Sequence, residues 1–297
     1  MQSSPTDSTK PLPPADAAGG TPAVALSEHA PAKVNLALHV RGRDPAGWHR
    51  IETLFAFTAF GDRLEATPAG EWSLAVEGPY AAACGPAADN LVLRAAAAFA
   101  AATGSRARFA FRLTKRIPAA AGLGGGSADA AAALRLLARA HPGRIAGAEL
   151  AALAAGLGAD VPACLASATS RGTGRGEALA PAAPVSGTPV LLVNPGVEVP
   201  TGAVFAAWDG IDRGPLPPGP TLAAALAGRN DLEAPAIARA PVIAEVLQAL
   251  RAAPGALLVR MSGSGATCFA LFAEAAARDA AAASLPRGWW RAATRLL

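Results

Sequence analysis

Between residues 118 and 127 the chain runs Pro-Ala-Ala-Ala-Gly-Leu-Gly-Gly-Gly-Ser, so that Gly122, Gly124, Gly125 and Gly126 place four glycines in five positions. Glycine is needed where a backbone takes positive φ or comes close to a ligand. An alternating stretch (Arg108–Thr114) precedes this run and an Ala/Leu-rich stretch (Ala128–Ala140) follows it, which puts the glycines at a strand-to-helix junction. The unpaired N–H groups and the positive dipole end of a helix start attract phosphate. Ser127 ends the loop with a hydroxyl in reach of a phosphate oxygen or of Mg²⁺. The chemistry this spacing suits is phosphate binding. No Lys-Ser/Thr pair follows the last glycine, so it is not the Walker A pattern. Counting G-x-G-x-x-G from Gly122 puts Ser127 at the third glycine, so it is not that fingerprint either. The plain structural reading is a flexible turn or a tight helix contact.

Three further stretches carry polar groups that such a site could use. In Pro31-Ala32-Lys33-Val34-Asn35-Leu36, Lys33 and Asn35 are two apart, and on a strand both face the same side. Alone, they read as a solvated edge lysine and an edge or turn asparagine. In Leu157-Gly158-Ala159-Asp160-Val161-Pro162, Asp160 reads as the N-cap of a short helix with Pro162 in its first turn. Its functional reading is a carboxylate near the phosphate loop, acting as a base or a charge stabiliser. The stretch Ser262-Gly263-Ser264-Gly265-Ala266-Thr267 lies between two apolar runs. It is either a hairpin turn or a second Gly/Ser loop that closes over the phosphates or shapes the site wall.

These residues need elements to hold them. Val34, Leu36, Leu38 and Val40 alternate as a strand, Gly42–Gly47 is turn-rich, and Thr53–Phe60 is a second strand. Asp62–Thr67 and Trp72–Glu77 are weaker ones. Asp89 caps a helix that runs to Thr103 and stops at Gly104. Helices are expected at Ala128–Ala140, Gly147–Gly156, Pro241–Ala252 and Glu274–Ser284. Strands are expected at Arg108–Thr114, Pro189–Val193, Leu257–Met261, Cys268–Phe272 and Arg291–Leu297. Strands and helices mix without strict βαβ alternation, which argues for an α+β arrangement. Ser167–Gly187, rich in Gly, Pro, Thr and Ser, is the best boundary. It divides the chain into residues 22–170 and 171–297, behind a flexible tail at 1–21.

Composition narrows the function classes. Apolar residues make up 52% of 297, enough for a sizeable core, and the net charge of +4 is spread without any Lys/Arg block. Nucleic acid and anionic membrane surfaces are therefore not expected partners. Cys84, Cys164 and Cys268 are far apart and lack CxxC spacing, which suits reducing cytoplasm and buried small apolar roles. His29, His39 and His141 have no ligand spacing, and Trp289-Trp290 reads as packing. No apolar core of a signal peptide and no membrane-spanning run stands out.

In order and spacing, the four stretches resemble the GHMP kinase superfamily from about residue 22 to the C-terminus. That superfamily has a Lys-containing first strand, a Pro-x-x-x-Gly-Leu-Gly-(Gly/Ser)-Gly-Ser loop and a late Gly-rich loop. The resemblance implies a two-domain α+β fold, with an N-terminal ribosomal-protein-S5-domain-2-like ATP-binding domain and a C-terminal ferredoxin-like α/β sandwich. Several details are similar to one branch of it, the kinases that phosphorylate the 2-hydroxyl of a cytidine-diphosphate-linked methylerythritol on the non-mevalonate route to isoprenoid precursors. They are Gly47-Trp48-His49 before Glu52-Thr53-Leu54-Phe55, the Asp160 segment, Asp89-Asn90-Leu91, Gly174-Arg175-Gly176-Glu177, and Asn194-Pro195-Gly196 before Pro200-Thr201.

The resemblance implies ATP and Mg²⁺ as cofactors and a small-molecule substrate bearing a cytidine diphosphate group. Lys33 and Asp160 would be the catalytic pair, Asp160 accepting the proton of the attacking hydroxyl and Lys33 steadying the developing phosphoryl charge. Pro118, Ala119, Ala120, Ala121, Gly122, Leu123, Gly124, Gly125, Gly126, Ser127 and Ala128 would wrap the ATP phosphates, with Asn90 and Lys115 nearer the nucleoside. His49 would read the cytosine edge, Trp48 and Phe205 would sandwich its ring, and Asn35 and Thr201 would hold the erythritol or diphosphate part. No metal ligand is assigned. Trp48 stands where the branch has Tyr, and Ala128 replaces a second Ser. A homoserine- or mevalonate-type kinase and a catalytically silent ligand-binding member remain as alternatives. Loss of Lys33 or Asp160 would mark the silent member, and both are present. The expected state is a cytoplasmic monomer or weak homodimer.

Overall fold

A computed structural model describes residues 25–297; the tail expected at 1–21 lies outside the described residues. Strands β1 (Leu26–Arg43) and β2 (His49–Ala69) form one long antiparallel ribbon. From Ala30 to Val40 every residue of β1 is buried, because both of its faces are covered. Val34 and Leu36 sit in apolar packing, while Lys33, Asn35 and His39 are polar groups taken inside. A register irregularity between Asn35 and Ala37 bends the strand beside them.

The first sheet continues with β3 (Ser73–Glu77), parallel to β4 (Arg108–Thr114), and β4 pairs with β2. β5 (Ser170–Thr173) and β6 (Ala178–Pro181) add a hairpin to the other end of β2. Helices α1 (Leu91–Thr103), α2 (Gly125–Ala140), α3 (Gly147–Leu157) and α4 (Val161–Ala166) cover one face. Phe55, Phe99, Phe109, Phe111, Leu134 and Leu137 fill the space between, and buried alanines on α2 let the backbones approach.

The second half holds β7 (Pro189–Asn194), α5 (Thr201–Ala206), α6 (Thr221–Ala227), α7 (Glu233–Arg239) and α8 (Val242–Arg251). It ends with β8 (Ala256–Met261), β9 (Cys268–Phe272), α9 (Ala275–Ser284) and β10 (Trp290–Arg295). Its antiparallel sheet has the order β10-β7-β9-β8. Numbered within this half, that is 4-1-3-2 with helices in the first and third connections, the ferredoxin-like pattern. The two sheets share a core: Val34, Leu36, Leu54, Ile117 and Leu123 meet Val190, Leu192, Phe269 and Leu271. Among the described residues no helix is long and apolar enough to cross a membrane.

Four local expectations change. Thr53–Phe60 and Asp62–Thr67 are one strand, because Asp62 makes no turn; its carboxylate is buried and accepts from the N–H of Ile117. Asn90, not Asp89, caps α1, its side chain accepting from Val92 N at 2.9 Å. Helix α2 begins inside the glycine run rather than after it. The glycines of the expected boundary turn the β5–β6 hairpin, so sheet membership parts between Pro181 and Pro189 and not at 170/171. The short helices α5–α7 carry too few turns for periodicity to reveal them.

Candidate active site

A cavity of about 1050 Å³ opens where the two halves meet. Its centre is built on β1, α2 and α4. The Lys33 amine, almost fully buried, donates to Asn35 Oδ1 at 2.7 Å and lies 3.3 Å from Asp160 Oδ2. Asp160 holds the N-cap position of α4 yet makes no capping hydrogen bond, and its side chain is 37% exposed. The carboxylate is thus turned from the helix toward Lys33 and the cavity, and the capping reading of this residue fails.

The glycine loop crosses directly over that pair. Lys33 N donates to Leu123 O at 2.9 Å. Gly124 has φ +64, and a Cβ there would stand 3.1 Å from Lys33 Cε and 3.8 Å from Asp160 Oδ2. The first ladder bond of α2 runs from Ala128 N to Gly124 O, so the N–H groups of Gly125, Gly126 and Ser127 precede it, and these three residues line the cavity. The loop's back is braced by the second Gly/Ser loop. Ser262 Oγ donates to Gly122 O at 2.9 Å, Thr267 N donates to Ala121 O at 3.1 Å, and a Cβ on Gly122 would fall 2.3 Å from Ser262 O. The second loop also lines the cavity with Gly263 and Ser264 while it braces the first.

Beneath the start of α2, the Lys115 amine is held by Asp62 and, at 2.6 Å, by Asp129 Oδ2. Burial alone would lower its pKa, but the two carboxylates outweigh burial and raise it. One amine cannot satisfy two buried carboxylates equally. Asp62 gains the backbone N–H of Ile117, whereas Asp129 Oδ1 has no partner; burial pushes Asp129 up to about 7.

The far end of the cavity lies between the β1–β2 turn and α5. The His49 ring packs on Phe205 at 5.0 Å and edge-on to Trp208 at 5.8 Å. His49 Nε2 is buried without a partner, and burial, then Arg43, lowers its pKa, which favours neutral imidazole. Trp48 is 58% exposed, with the Arg175 guanidinium 5.1 Å from its ring centre. Thr201 meets Ser264 Oγ at 2.9 Å.

Of the residues expected from the sequence, Lys33, Asn35, Trp48, His49, Asn90, Lys115, Pro118 to Gly122, Gly124 to Ser127, Asp160, Thr201 and Phe205 all line this cavity. Leu123 and Ala128 do not. Leu123 belongs to the core between the sheets and Ala128 to the core under α2. Asn35 faces the cavity, but its amide is engaged by Lys33 and Thr53. Arg43, Arg175, Cys84 and Asp129 line the cavity without being marked for it by the sequence; of Phe205 and Trp208, whose spacing of three allows one core and one wall residue, Phe205 lines the cavity and Trp208 packs in the core beside His49. Arg175 stood in the quoted Gly174-Arg175-Gly176 turn, but no spacing reveals that this turn folds against Trp48.

Residues 90–168 match the GHMP kinases N terminal domain and residues 220–290 the GHMP kinases C terminal domain. The chain is 57% identical to 4-diphosphocytidyl-2-C-methyl-D-erythritol kinase of Rhizorhabdus wittichii, over 93% of this chain and 96% of that one. It is 53% identical to the enzyme of the same name from Sphingopyxis alaskensis, over 87% and 94%. A crystal structure of 4-(cytidine 5'-diphospho)-2C-methyl-D-erythritol kinase superposes with a TM-score of 0.79 at 38% identity, covering 91% of this chain and 99% of that one.

Proposed function

The chain belongs to the 4-diphosphocytidyl-2-C-methyl-D-erythritol kinases of the GHMP kinase superfamily, and from that membership we propose how its own residues carry the reaction. It is an ATP-dependent kinase that phosphorylates the 2-hydroxyl of 4-diphosphocytidyl-2-C-methyl-D-erythritol. The observation that supports the site reading most is Asp160, an N-cap residue that caps nothing and sits 3.3 Å from a buried lysine under the phosphate loop.

In this reading the N–H groups at the start of α2 bind the phosphates of ATP, and Asn90 and Lys115 lie toward the nucleoside. Asp160 accepts the proton of the attacking hydroxyl. Lys33 faces both Asp160 and the space where phosphoryl charge develops. Phosphoryl transfer asks mainly for such positioning and charge stabilisation. His49 Nε2, buried and unpartnered, reads the cytosine edge, with Phe205 and Trp48 against its ring and Thr201 toward the diphosphate. Among the described residues no group of three or more His, Cys, Asp or Glu could hold a metal by itself. The oxygen-bearing residues that line the cavity, among them Asp160 and Ser127, fit Mg²⁺ carried on the nucleotide, which keeps its waters and takes one or two protein oxygens. Bound there, Mg²⁺ would neutralise phosphate charge. The same reading makes the protein a cytoplasmic monomer or weak homodimer whose partner is this small molecule.

Turnover of Asp160→Asn tests the assignment. The expected result is a kcat lower by ~10²- to 10⁴-fold, the usual contribution of a positioned base, with ATP affinity retained. Near-normal kcat removes Asp160 from the role. ADP release with the cytidylyl substrate, set against homoserine and mevalonate, tests the acceptor.

A further inference from the structure

Thr53 lies in the Glu52-Thr53-Leu54-Phe55 stretch of β2, is fully buried and does not line the cavity. Its hydroxyl is 2.6 Å from Ala37 O and 2.8 Å from Asn35 Nδ2. Asn35 Oδ1 is in turn 2.7 Å from Lys33 Nζ. We propose that Thr53 is a positioning residue for phosphoryl transfer: its hydroxyl sets which end of the Asn35 amide faces Lys33, and so holds the Lys33 amine beside Asp160.

A carbonyl oxygen can only accept, so the single hydroxyl hydrogen of Thr53 is committed to Ala37 O. The Thr53 oxygen is then left to accept, which draws the NH₂ end of Asn35 toward it. The amide oxygen must therefore face Lys33, whose ammonium has donors only. The Thr53 methyl group lies on the Gly172 side, where an added Cβ would stand 3.1 Å from it. The Asn35 backbone is held separately, its N–H donating to Ser262 Oγ at 3.2 Å. The amide orientation thus depends on Thr53, while the strand position does not. With the hydroxyl gone, the buried NH₂ loses its acceptor. The flipped amide would turn donors toward the ammonium, which moves the amine off Asp160.

This inference rests on the reading of Lys33 as the catalytic cation. The experiment compares steady-state kinetics and unfolding temperatures of wild type, Thr53→Val, Thr53→Ser and Lys33→Ala. Valine keeps the shape and removes the hydroxyl. The expected result is a kcat ~10- to 100-fold lower for Thr53→Val, the scale of one buried hydrogen-bond partner lost. KM for ATP should stay within about two-fold, the unfolding temperature should fall by only a few degrees for the two buried hydrogen bonds lost, and Thr53→Ser should recover most of both losses. Should the valine variant not fold, Thr53→Cys, similar in size but a poor acceptor, carries the same expectation. Wild-type kcat in Thr53→Val (or in the cysteine variant) overturns the proposal. So does a loss of kcat that serine does not recover, because packing would then be the cause. Full activity in Lys33→Ala instead removes the site reading itself. A silent Lys33→Ala beside a fully active Thr53→Val overturns only the role of Thr53.

Discussion

At the scale of residues, this site is made by polar groups taken into places where their partners are counted. Lys33 and Asn35 are buried on β1 next to apolar Val34 and Leu36, and each polar atom there has a stated partner. His39 shows the same rule in a structural role. It is fully buried, accepts from Arg229 N through Nε2 and faces Gly214 O through Nδ1. Burial, then the Arg229 charge, lowers its pKa. The folded state thus holds fewer protons on His39 than the unfolded chain. Its contribution to stability is present above the ordinary value of 6.5 and is lost as pH falls below it. Urea unfolding of wild type and His39→Gln across pH 7.5 to 5 should show the wild type losing its advantage on acidification; a constant difference would contradict this. At the far end of the cavity, Phe205→Ala should raise KM for the cytidylyl acceptor by ~10-fold, since stacking on a base is worth ~1 to 3 kcal/mol, with KM for ATP unchanged. Lys33 and Asp160 were both legible as candidates from residue type. What the residues alone left open was whether Asp160 capped a helix, because an N-cap and a base have the same local sequence.

At the scale of elements, the glycine loop keeps its place because two of its glycines solve different problems. Gly122 lets the loop rest against Ser262 of the second Gly/Ser loop, and Gly124 lets α2 start over Lys33 and Asp160. Gly124→Ala would place a methyl group 3.1 Å from Lys33 Cε at a φ of +64, where a side chain costs ~1 to 2 kcal/mol. The expected outcome is a modest loss of stability in thermal unfolding and a larger loss of kcat, as the methyl displaces Lys33. A variant with normal kcat would mean that the loop sits less tightly over the pair. The glycine loop, α2 and the strand ahead of it were legible in the sequence because all three follow from local backbone demands. The brace from Ser262 and Thr267 was not, since it joins segments more than a hundred residues apart.

For the whole molecule, the cavity exists because the two halves share a core. Phe269 and Leu192 from the second sheet pack against Val34 and Leu54 of the first, and Phe60 meets Trp290 edge-on at the rim. The halves should therefore unfold together. Leu192→Ala leaves a void in this shared layer and should cost ~2 to 5 kcal/mol. Amide exchange in β2 and β7 should accelerate in parallel in that variant. Acceleration confined to β7 would show that the halves are energetically separate.

The sequence by itself determined the parts whose causes are local. A glycine run between strand and helix suits phosphate, alternating apolar residues favour strands, and the order of Lys33, the loop, Asp160 and the second Gly/Ser loop resembles a kinase superfamily. Tertiary structure alone decided the rest. It gave β5 and β6 to the first sheet, buried Leu123 and Ala128 in the cores, turned Asp160 from α4 toward Lys33, and set Arg175 against Trp48. Each of these depends on which distant surfaces pack together, and long-range burial leaves no fixed spacing along the chain.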